Sequence, residues 1–422
     1  MKILHISQTD NGSGAGRAAY RIHQSLLKLG HDSNMLVANK RTDDPKVSGL
    51  QRTGLSMARL REWSEARNGR RLSADSKSLF SPAYWSQLDF SKNAKVLSAD
   101  VIVLYWVNGG FLAPESLALL RKPLVWRLSD VWPLTGGCHY PGECERYSVN
   151  CGQCPQLRIP SEWDASRRLW LRKYKAWLSL DLTIAAPSNW MANLARKSSL
   201  FGERRIEVVP TGIDLSVYCL HDKSAARQRF NIPQDQLVIA FGALDSIGDS
   251  RKGYEQLNAV LLRIAASPLA SRVLALIFGR WQLPDESLPI TSQFLGRLDH
   301  DQDLAEAYSA ADIVIVPSLE DNLPNVALEA IACGLPVCGF DVGGMSDIVR
   351  NGWNGVLAPR LDNTKLADGI ITILSDDSRR KKMAENARKH AEQHFSLDKQ
   401  AKSYSNLLSE LTETGRLSQT LS

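Results

Sequence analysis

Short apolar runs of strand length recur along the chain, each followed by a stretch in which apolar positions return every three or four residues. In the first half the runs are Ile3 to Ile6 (followed by Ala18 to Leu29), Val101 to Trp106, Leu124 to Trp126 and Leu182 to Ala185. A second series starts at Leu237 to Phe241 and continues through Val273 to Phe278, Ile313 to Val316 and Pro336 to Phe340. Continuous apolar runs alternating with helical spacing predict buried parallel strands joined by crossover helices. The chain therefore reads as α/β, with two doubly wound units. A polar stretch, Asp222 to Gln234, carries the helix-breaking Pro233 and separates the two series, so the expected division is 1–222 and 223–395. From Leu397 the spacing of Ala401, Tyr404, Leu408 and Leu411 behind Ser396 predicts an amphipathic terminal helix, 396–422, that needs a surface to cover.

Length agrees with this division, because 422 residues exceed what one core comfortably holds. A hydrophobic content of 44% with 23% charged residues is ordinary for a globular protein and argues against disorder. The net charge of +6 is modest. It gathers in Arg52, Arg59, Arg61, Arg67, Arg70 and Arg71, and again in Arg167, Arg168, Arg172, Lys173 and Lys175. Such clusters are either solvated helix faces or surfaces for phosphates and membranes; nucleic acid is not an expected partner. No apolar run approaches the roughly 18 to 20 residues of a spanning helix, and MKILHIS reads as a strand without a cationic leader, so a cytoplasmic chain is expected. Seven cysteines, an odd number, also argue against a secreted disulfide framework.

The chemistry concentrates in PSLEDNLPNVALEAIACGLPVCGFDVGG, Pro317 to Gly344. A strand ending at Val316, a loop, and a helix starting near Asn325 place this loop at the carboxyl edge of a parallel sheet, where open α/β sheets bind ligands. The helix start offers unpaired N–H groups and a positive dipole end, suited to a diphosphate. Asp321 on the loop and Glu329 one turn into the helix can both accept hydrogen bonds from ligand hydroxyls. The bland reading of Glu329 is a solvated face, with Val326, Leu328 and Ile331 packing.

This stretch resembles the signature of retaining glycosyltransferases of family four, in which two acidic residues bracket seven others. The resemblance implies a GT-B architecture, two Rossmann-like domains facing across a cleft, with the donor nucleotide on the second domain and the terminal helix returning to the first. It implies that Asp321 meets the donor sugar, that Glu329 holds the ribose, and that Asn322, Leu323, Pro324 and Asn325 supply loop contacts to sugar and phosphate. The family usually has Glu where Asp321 stands. NGSGAGRAAY resembles the family's GGxGRAA loop, giving Gly14 and Gly16 as donor contacts; it lacks the third glycine of the dinucleotide fingerprint, Arg17 standing there. FGALDSIGDSRKGYEQL resembles the segment that brings a basic pair to the diphosphate: Lys252 matches the family lysine, and Arg251 stands in for an arginine replaced by Ala243. VVPTGID resembles the family's P-N-G-I-D turn, with Thr211 for Asn, and DVGGMSDIV resembles the glycine pair closing the donor site, here Gly343 and Gly344 with Asp347 nearby. In VWRLSDVWPLTGG, Ser129 and Asp130 stand where many relatives have His-Asp, so Asp130 is a candidate catalytic residue of the first domain.

CHYPGECERYSVNCGQC follows, within an insertion at 136–157 that resembles one in exopolysaccharide-type members of the family. Cys138, Cys144, Cys151 and Cys154 fit four thiolates around a structural zinc, with disulfides or free thiols as the alternatives; His139 is an awkward competitor beside Cys138. Trp163, Trp170 and Trp177 repeat every seven residues among the second basic cluster, so a helix would align them on one face, as core packing or as a membrane-interface surface.

The implied function is transfer of a glycosyl unit from a nucleotide-diphosphate sugar to a hydroxyl of a poly- or oligosaccharide acceptor, lipid-linked if the basic and tryptophan features act together at the inner membrane face. The resemblance implies retention of anomeric configuration and no cofactor in catalysis, Arg251, Lys252 and the helix amides stabilising the leaving diphosphate. A non-catalytic nucleotide-sugar binding protein and a hydrolase or epimerase of the same architecture are the alternatives.

Overall fold

The computed structural model describes residues 1–50, 52–74, 79–84, 89–243, 249–279 and 288–420. The chain forms two compact units, Met1–Thr211 with Asp398–Ser422, and Gly212–Leu397. The division falls at Thr211, ahead of the polar stretch expected to be the linker. That stretch is structured: the Asp222 carboxylate caps the helix Lys223–Arg229, and Arg227 and Lys223 hold the buried Asp312.

The first unit is built on a seven-stranded parallel sheet in the order β3-β2-β1-β4-β5-β6-β7. Its strands are β1 (Lys2–Thr9), β2 (Asp32–Asn39), β3 (Val47–Gly49), β4 (Val101–Leu104), β5 (Leu124–Arg127), β6 (Leu182–Ala186) and β7 (Ile206–Val208). β1, β4, β5 and β6 are the apolar runs of the sequence, buried on both faces. The terminal helix Leu397–Thr420 places Tyr404, Leu407 and Leu408 in the core beside Ile3, Val101 and Val103, so its apolar stripe covers one face of this sheet.

The second unit holds a six-stranded parallel sheet in the order β10-β9-β8-β11-β12-β13. Its strands are β8 (Leu237–Ala243), β9 (Val273–Gly279), β10 (Ser292–Phe294), β11 (Ile313–Val316), β12 (Val337–Phe340) and β13 (Gly355–Ala358). In both sheets the order reverses beside the first strand of the unit, between β1 and β4 and between β8 and β11. At such a reversal adjacent crossover helices lie on opposite faces and leave a crevice at the carboxyl edge.

The tryptophan stripe does not form. The helix begins at Ala165, capped by the Asp164 carboxylate, so Trp163 lies outside it and is 61% exposed with Arg167 over its ring. Trp170 stacks on Tyr174, whereas Trp177 is buried against Trp126, Trp132 and Phe201. The basic cluster there also divides. Lys173 is wholly buried, donating to the Trp132 and Thr135 carbonyls above the Trp132 ring, and Arg172 forks onto Glu115. Arg168 and Lys175 remain exposed. In the other cluster the Arg52 side chain lies outside the described residues. No helix among the described residues is long and apolar enough to cross a membrane.

Candidate functional site

In the second unit the loops after β8, β11 and β12 meet at the sheet reversal, and they carry most of the residues singled out in the sequence. The first described residues after β8 form a short turn, Ser250–Lys252, whose start is capped by the Asp249 carboxylate. Gly253 ends the turn at φ 71°. A β-carbon there would sit 1.9 Å from the Pro317 carbonyl oxygen, so only glycine lets this turn lie against the loop after β11. The Leu319 amide donates to the Arg251 carbonyl at 2.7 Å and fixes the same contact. Residues 244–248 and the Ala243 side chain lie outside the described residues.

This docking sets Lys252 Nζ 2.6 Å from Asp321 Oδ2. The Lys252 side chain is 37% exposed, a setting in which an ion pair contributes roughly 0 to 1 kcal/mol to stability. The pair is thus a weak structural brace. It is well placed to act on a ligand, the ammonium on a phosphate and the carboxylate on a hydroxyl. Gly343, at φ 55°, presses on the Asp321 backbone: an added β-carbon would lie 1.8 Å from its carbonyl oxygen, and the Gly344 amide donates to that same oxygen at 3.1 Å.

Arg251 and Glu329 sit differently from expectation. The Arg251 guanidinium forks onto the Asp249 carboxylate at 3.0 and 2.6 Å, so its charge is already matched within its own turn. Glu329 is 5% exposed and accepts from the Tyr308 hydroxyl at 2.9 Å. The helix Asn325–Ala332 is apolar on nearly every side, with Ala327, Leu328 and Ala330 to Ala332 buried, and it carries Glu329 inward with them. Burial and the neighbouring Glu329 charge push the Tyr308 hydroxyl well above its ordinary pKa, keeping it a donor. Asn322, Leu323 and Pro324 are buried at the approach to this helix, whose start has no side-chain cap. The Ala327 and Leu328 amides donate to the Pro324 carbonyl at 3.1 and 3.2 Å, and no side chain caps the amides ahead of them, where the positive end of the helix suits an anion.

Gly14, Gly16 and Asp130 belong to the first unit. Gly14 and Gly16 lie within the first turn of the helix Gly14–Lys28 rather than in a free loop. The Gly16 amide is already taken by the capping Ser13 hydroxyl at 3.1 Å, and Gly16 packs against Thr9 at the end of β1. Asp130 lies just beyond β5 and is almost completely buried. Its Oδ1 accepts from the Trp132 amide at 2.9 Å, and its Oδ2 accepts from Trp106 Nε1 at 2.9 Å and from His139 Nδ1 at 2.6 Å. Three residues here escaped sequence reasoning. His139 stood beside a cysteine and looked like a competing ligand; Trp106 ends an apolar run that reads as strand alone, and the buried Arg127, which donates to Thr211 Oγ1 at 2.9 Å, directly follows another.

The four cysteines of the insertion line one small, apolar cavity with Phe80, Tyr147 and Ser166. Cys151, Gly152 and Gln153 all take positive φ, curling the C-G-Q-C segment, and the Gly136 amide donates to Cys151 Sγ at 3.1 Å. Burial pushes the Cys151 thiol up to about 12 and Cys154 to about 11, and holds Cys138 well above the ordinary thiol value, with the other three thiols adding to it. Four thiols converging on one enclosed space are a donor set that suits zinc. Among the described residues, however, no three His, Cys, Asp or Glu side chains are already posed as a ligand set.

Comparison with known proteins follows the same division. Residues 12–217 match the model described as Glycosyltransferase Family 4, and residues 223–390 match Glycosyl transferases group 1. Curated relatives include the D-inositol 3-phosphate glycosyltransferase of Stackebrandtia nassauensis, 34% identical over 205 residues covering 44% of this chain and 45% of the relative. The enzyme of that name from Mycobacterium tuberculosis is 37% identical over 176 residues, 40% of this chain and 36% of the relative. The chain thus spans less than half the length of these curated relatives. None of those named is an exopolysaccharide enzyme. Among solved structures, sucrose-phosphate synthase from Thermosynechococcus elongatus aligns with a TM-score of 0.66 at 19% identity over 98% of this chain and 99% of that one. Anabaena HepE in complex with UDP-glucose aligns at 0.62 and 18% identity over 97% of this chain and 100% of that one. At such identities the likeness is one of fold, and it establishes the class: two Rossmann-like α/β units of the GT-B type.

Proposed function

We propose that this chain, a Glycosyltransferase Family 4 region followed by a Glycosyl transferases group 1 region, moves a glycosyl unit from a nucleotide-diphosphate sugar to an acceptor hydroxyl. The observation that carries the reading is the Lys252–Asp321 pair at the carboxyl edge between β8 and β11, beside the uncapped helix start at Asn325. As the diphosphate leaves, negative charge grows on its oxygens, and Lys252 with the helix amides stabilises it. Asp321 accepts from sugar hydroxyls. Arg251, matched by Asp249, positions the turn rather than meeting the phosphate. The resemblance to family four supports retention at the anomeric carbon. The relatives' names favour a phosphorylated polyol as acceptor. A lipid-linked saccharide is less favoured, since Trp177 and Lys173 are buried.

The test is incubation of the purified chain with radiolabelled UDP-glucose, with D-inositol 3-phosphate or a membrane extract as acceptor, in the presence of a chelator. Label in a larger product, with the anomeric configuration kept, supports the reading. Free sugar or an epimer would make the chain a hydrolase or an epimerase; donor binding without turnover would make it a binding protein.

The reading includes a structural zinc at Cys138, Cys144, Cys151 and Cys154, supported by their convergence on one cavity. Zinc would supply the positive charge that lets the four thiols of this cavity ionise together. Metal analysis of protein purified without a histidine tag is expected to find about one zinc per chain. Less than half an equivalent, with four titratable thiols, would contradict it.

A further inference from the structure

His139 belongs to the cysteine-rich insertion, yet its ring is used at the sheet edge. It is wholly buried, with Nδ1 2.6 Å from Asp130 Oδ2 and Nε2 2.8 Å from Ser81 Oγ. A carboxylate can only accept, so Nδ1 carries the proton, and Nε2 accepts from the Ser81 hydroxyl. The backbone holds the ring there: the His139 amide donates to the Leu79 carbonyl, and its own carbonyl accepts from the Val131 amide, both at 3.2 Å. Trp106 lies tilted against the imidazole, centroids 6.0 Å apart, and donates to the same Oδ2. The Asp130 carboxylate is thereby locked from three sides.

Asp130 also lines a small cavity with Trp106, Asn108, Ser129 and Trp132. Asn108 is 5% exposed, and among the described residues its Oδ1 has no hydrogen-bond partner. A buried acceptor left unpaired is costly, and a donor that fills the cavity removes that cost. A sugar or polyol hydroxyl is such a donor, and it brings an oxygen of its own for the groups around Asp130.

We propose that this cavity recognises one hydroxyl of a sugar or polyol, with Asn108 Oδ1 as its acceptor, and that His139 is a positioning residue that holds Asp130 in place for it. The inference rests on the sugar-transfer reading and gives it a subsite in the first unit. It also gives the insertion a role, which is to supply at Asp130 the imidazole that Ser129 lacks.

The test uses the full chain with indole nitrogen-15 labelling and follows the Trp106 Nε1–H resonance during titration with glucose and with myo-inositol. A saturable shift is expected in wild type with at least one of them. His139→Phe should weaken it by about tenfold, the loss of one buried hydrogen bond. His139→Asn, whose side-chain amide can donate to Asp130, should restore most of it, which a merely structural role would not predict. Asn108→Leu should abolish it. Circular dichroism checks that each variant folds, and if His139→Phe does not, Ser81→Ala and His139→Asn decide the matter. No shift in wild type with either probe overturns the proposal, as does an unchanged shift in Asn108→Leu. UDP affinity measured on the same proteins separates the failures: retained UDP binding with no shift defeats this inference alone, and loss of both defeats the donor reading as well.

Discussion

Ser33 Oγ lies 2.9 Å from His5 Nε2 and 2.7 Å from His23 Nδ1, so one hydroxyl serves two buried imidazoles. His5 also meets the Tyr105 hydroxyl at 2.8 Å, and His23 faces Asp44 at 3.6 Å, with Lys46 and Lys95 nearby. Burial lowers His23 to about 4 against the pull of Asp44; burial and the His23 charge hold His5 well below its ordinary value. Both folded-state pKa values lie below the unfolded value of about 6.5, so the unfolded chain takes up protons first as pH falls. The stabilisation is complete above about pH 6.5 and is lost as the pH drops toward 4. The urea midpoint followed by tryptophan fluorescence should therefore fall across that window, and His23→Gln should flatten the fall. A midpoint independent of pH in wild type would contradict this. Nothing in LHIS or RIHQ announces such a pair: the two histidines meet because the helix Gly14–Lys28 lays His23 against the part of β1 and β2 that carries His5 and Ser33.

At the scale of elements, what could be read in advance were the strands with no polar interruption. Ile313 to Val316 and Val101 to Leu104 are strands because parallel sheets bury both faces, and an unbroken apolar run has few other uses. β2, DSNMLVAN, opens on polar residues, and β3, β7 and β10 are only three residues long, so pattern alone does not mark them. The tryptophan periodicity misled because the Asp164 cap starts the helix after Trp163. The loop after β11 has no glycine of its own, but Gly253 and Gly343 on the neighbouring loops pack against its backbone, and this can be tested. Gly343→Ala combines a left-handed backbone, at about 1 to 3 kcal/mol, with a clash against the Asp321 carbonyl. Gly352, at φ 78°, has nothing within 4 Å of an added β-carbon, so Gly352→Ala isolates the backbone strain. Gly343→Ala should lower UDP-glucose affinity by about tenfold or more through displacement of Asp321, while Gly352→Ala leaves it near wild type. Equal affinities in both variants would show that the Gly343 contact does not set the position of Asp321.

For the whole molecule, the two-unit α/β class could be read from the two series of apolar runs, and the sheet edge that matters from the loop between Val316 and Asn325. Side-chain pairing was not legible. Arg251 and Lys252 are neighbours of like charge in the sequence, yet one is matched by Asp249 within its turn and the other crosses to Asp321 on a different loop. Glu329 reads from the motif as a carboxylate facing the ligand, but the apolar helix that bears it carries it inward to the Tyr308 hydroxyl. The proposed donor site therefore turns on Lys252, a cation that the loops bring to the sheet reversal beside Asp321. Calorimetric titration of UDP-glucose into wild type and Lys252→Ala tests this most directly. Wild type is expected to bind saturably with one donor per chain, and the variant at least about tenfold more weakly, with its circular dichroism and urea midpoint unchanged. Equal affinity in the two proteins, or no saturable binding by wild type across a panel of nucleotide sugars, would contradict the central claim.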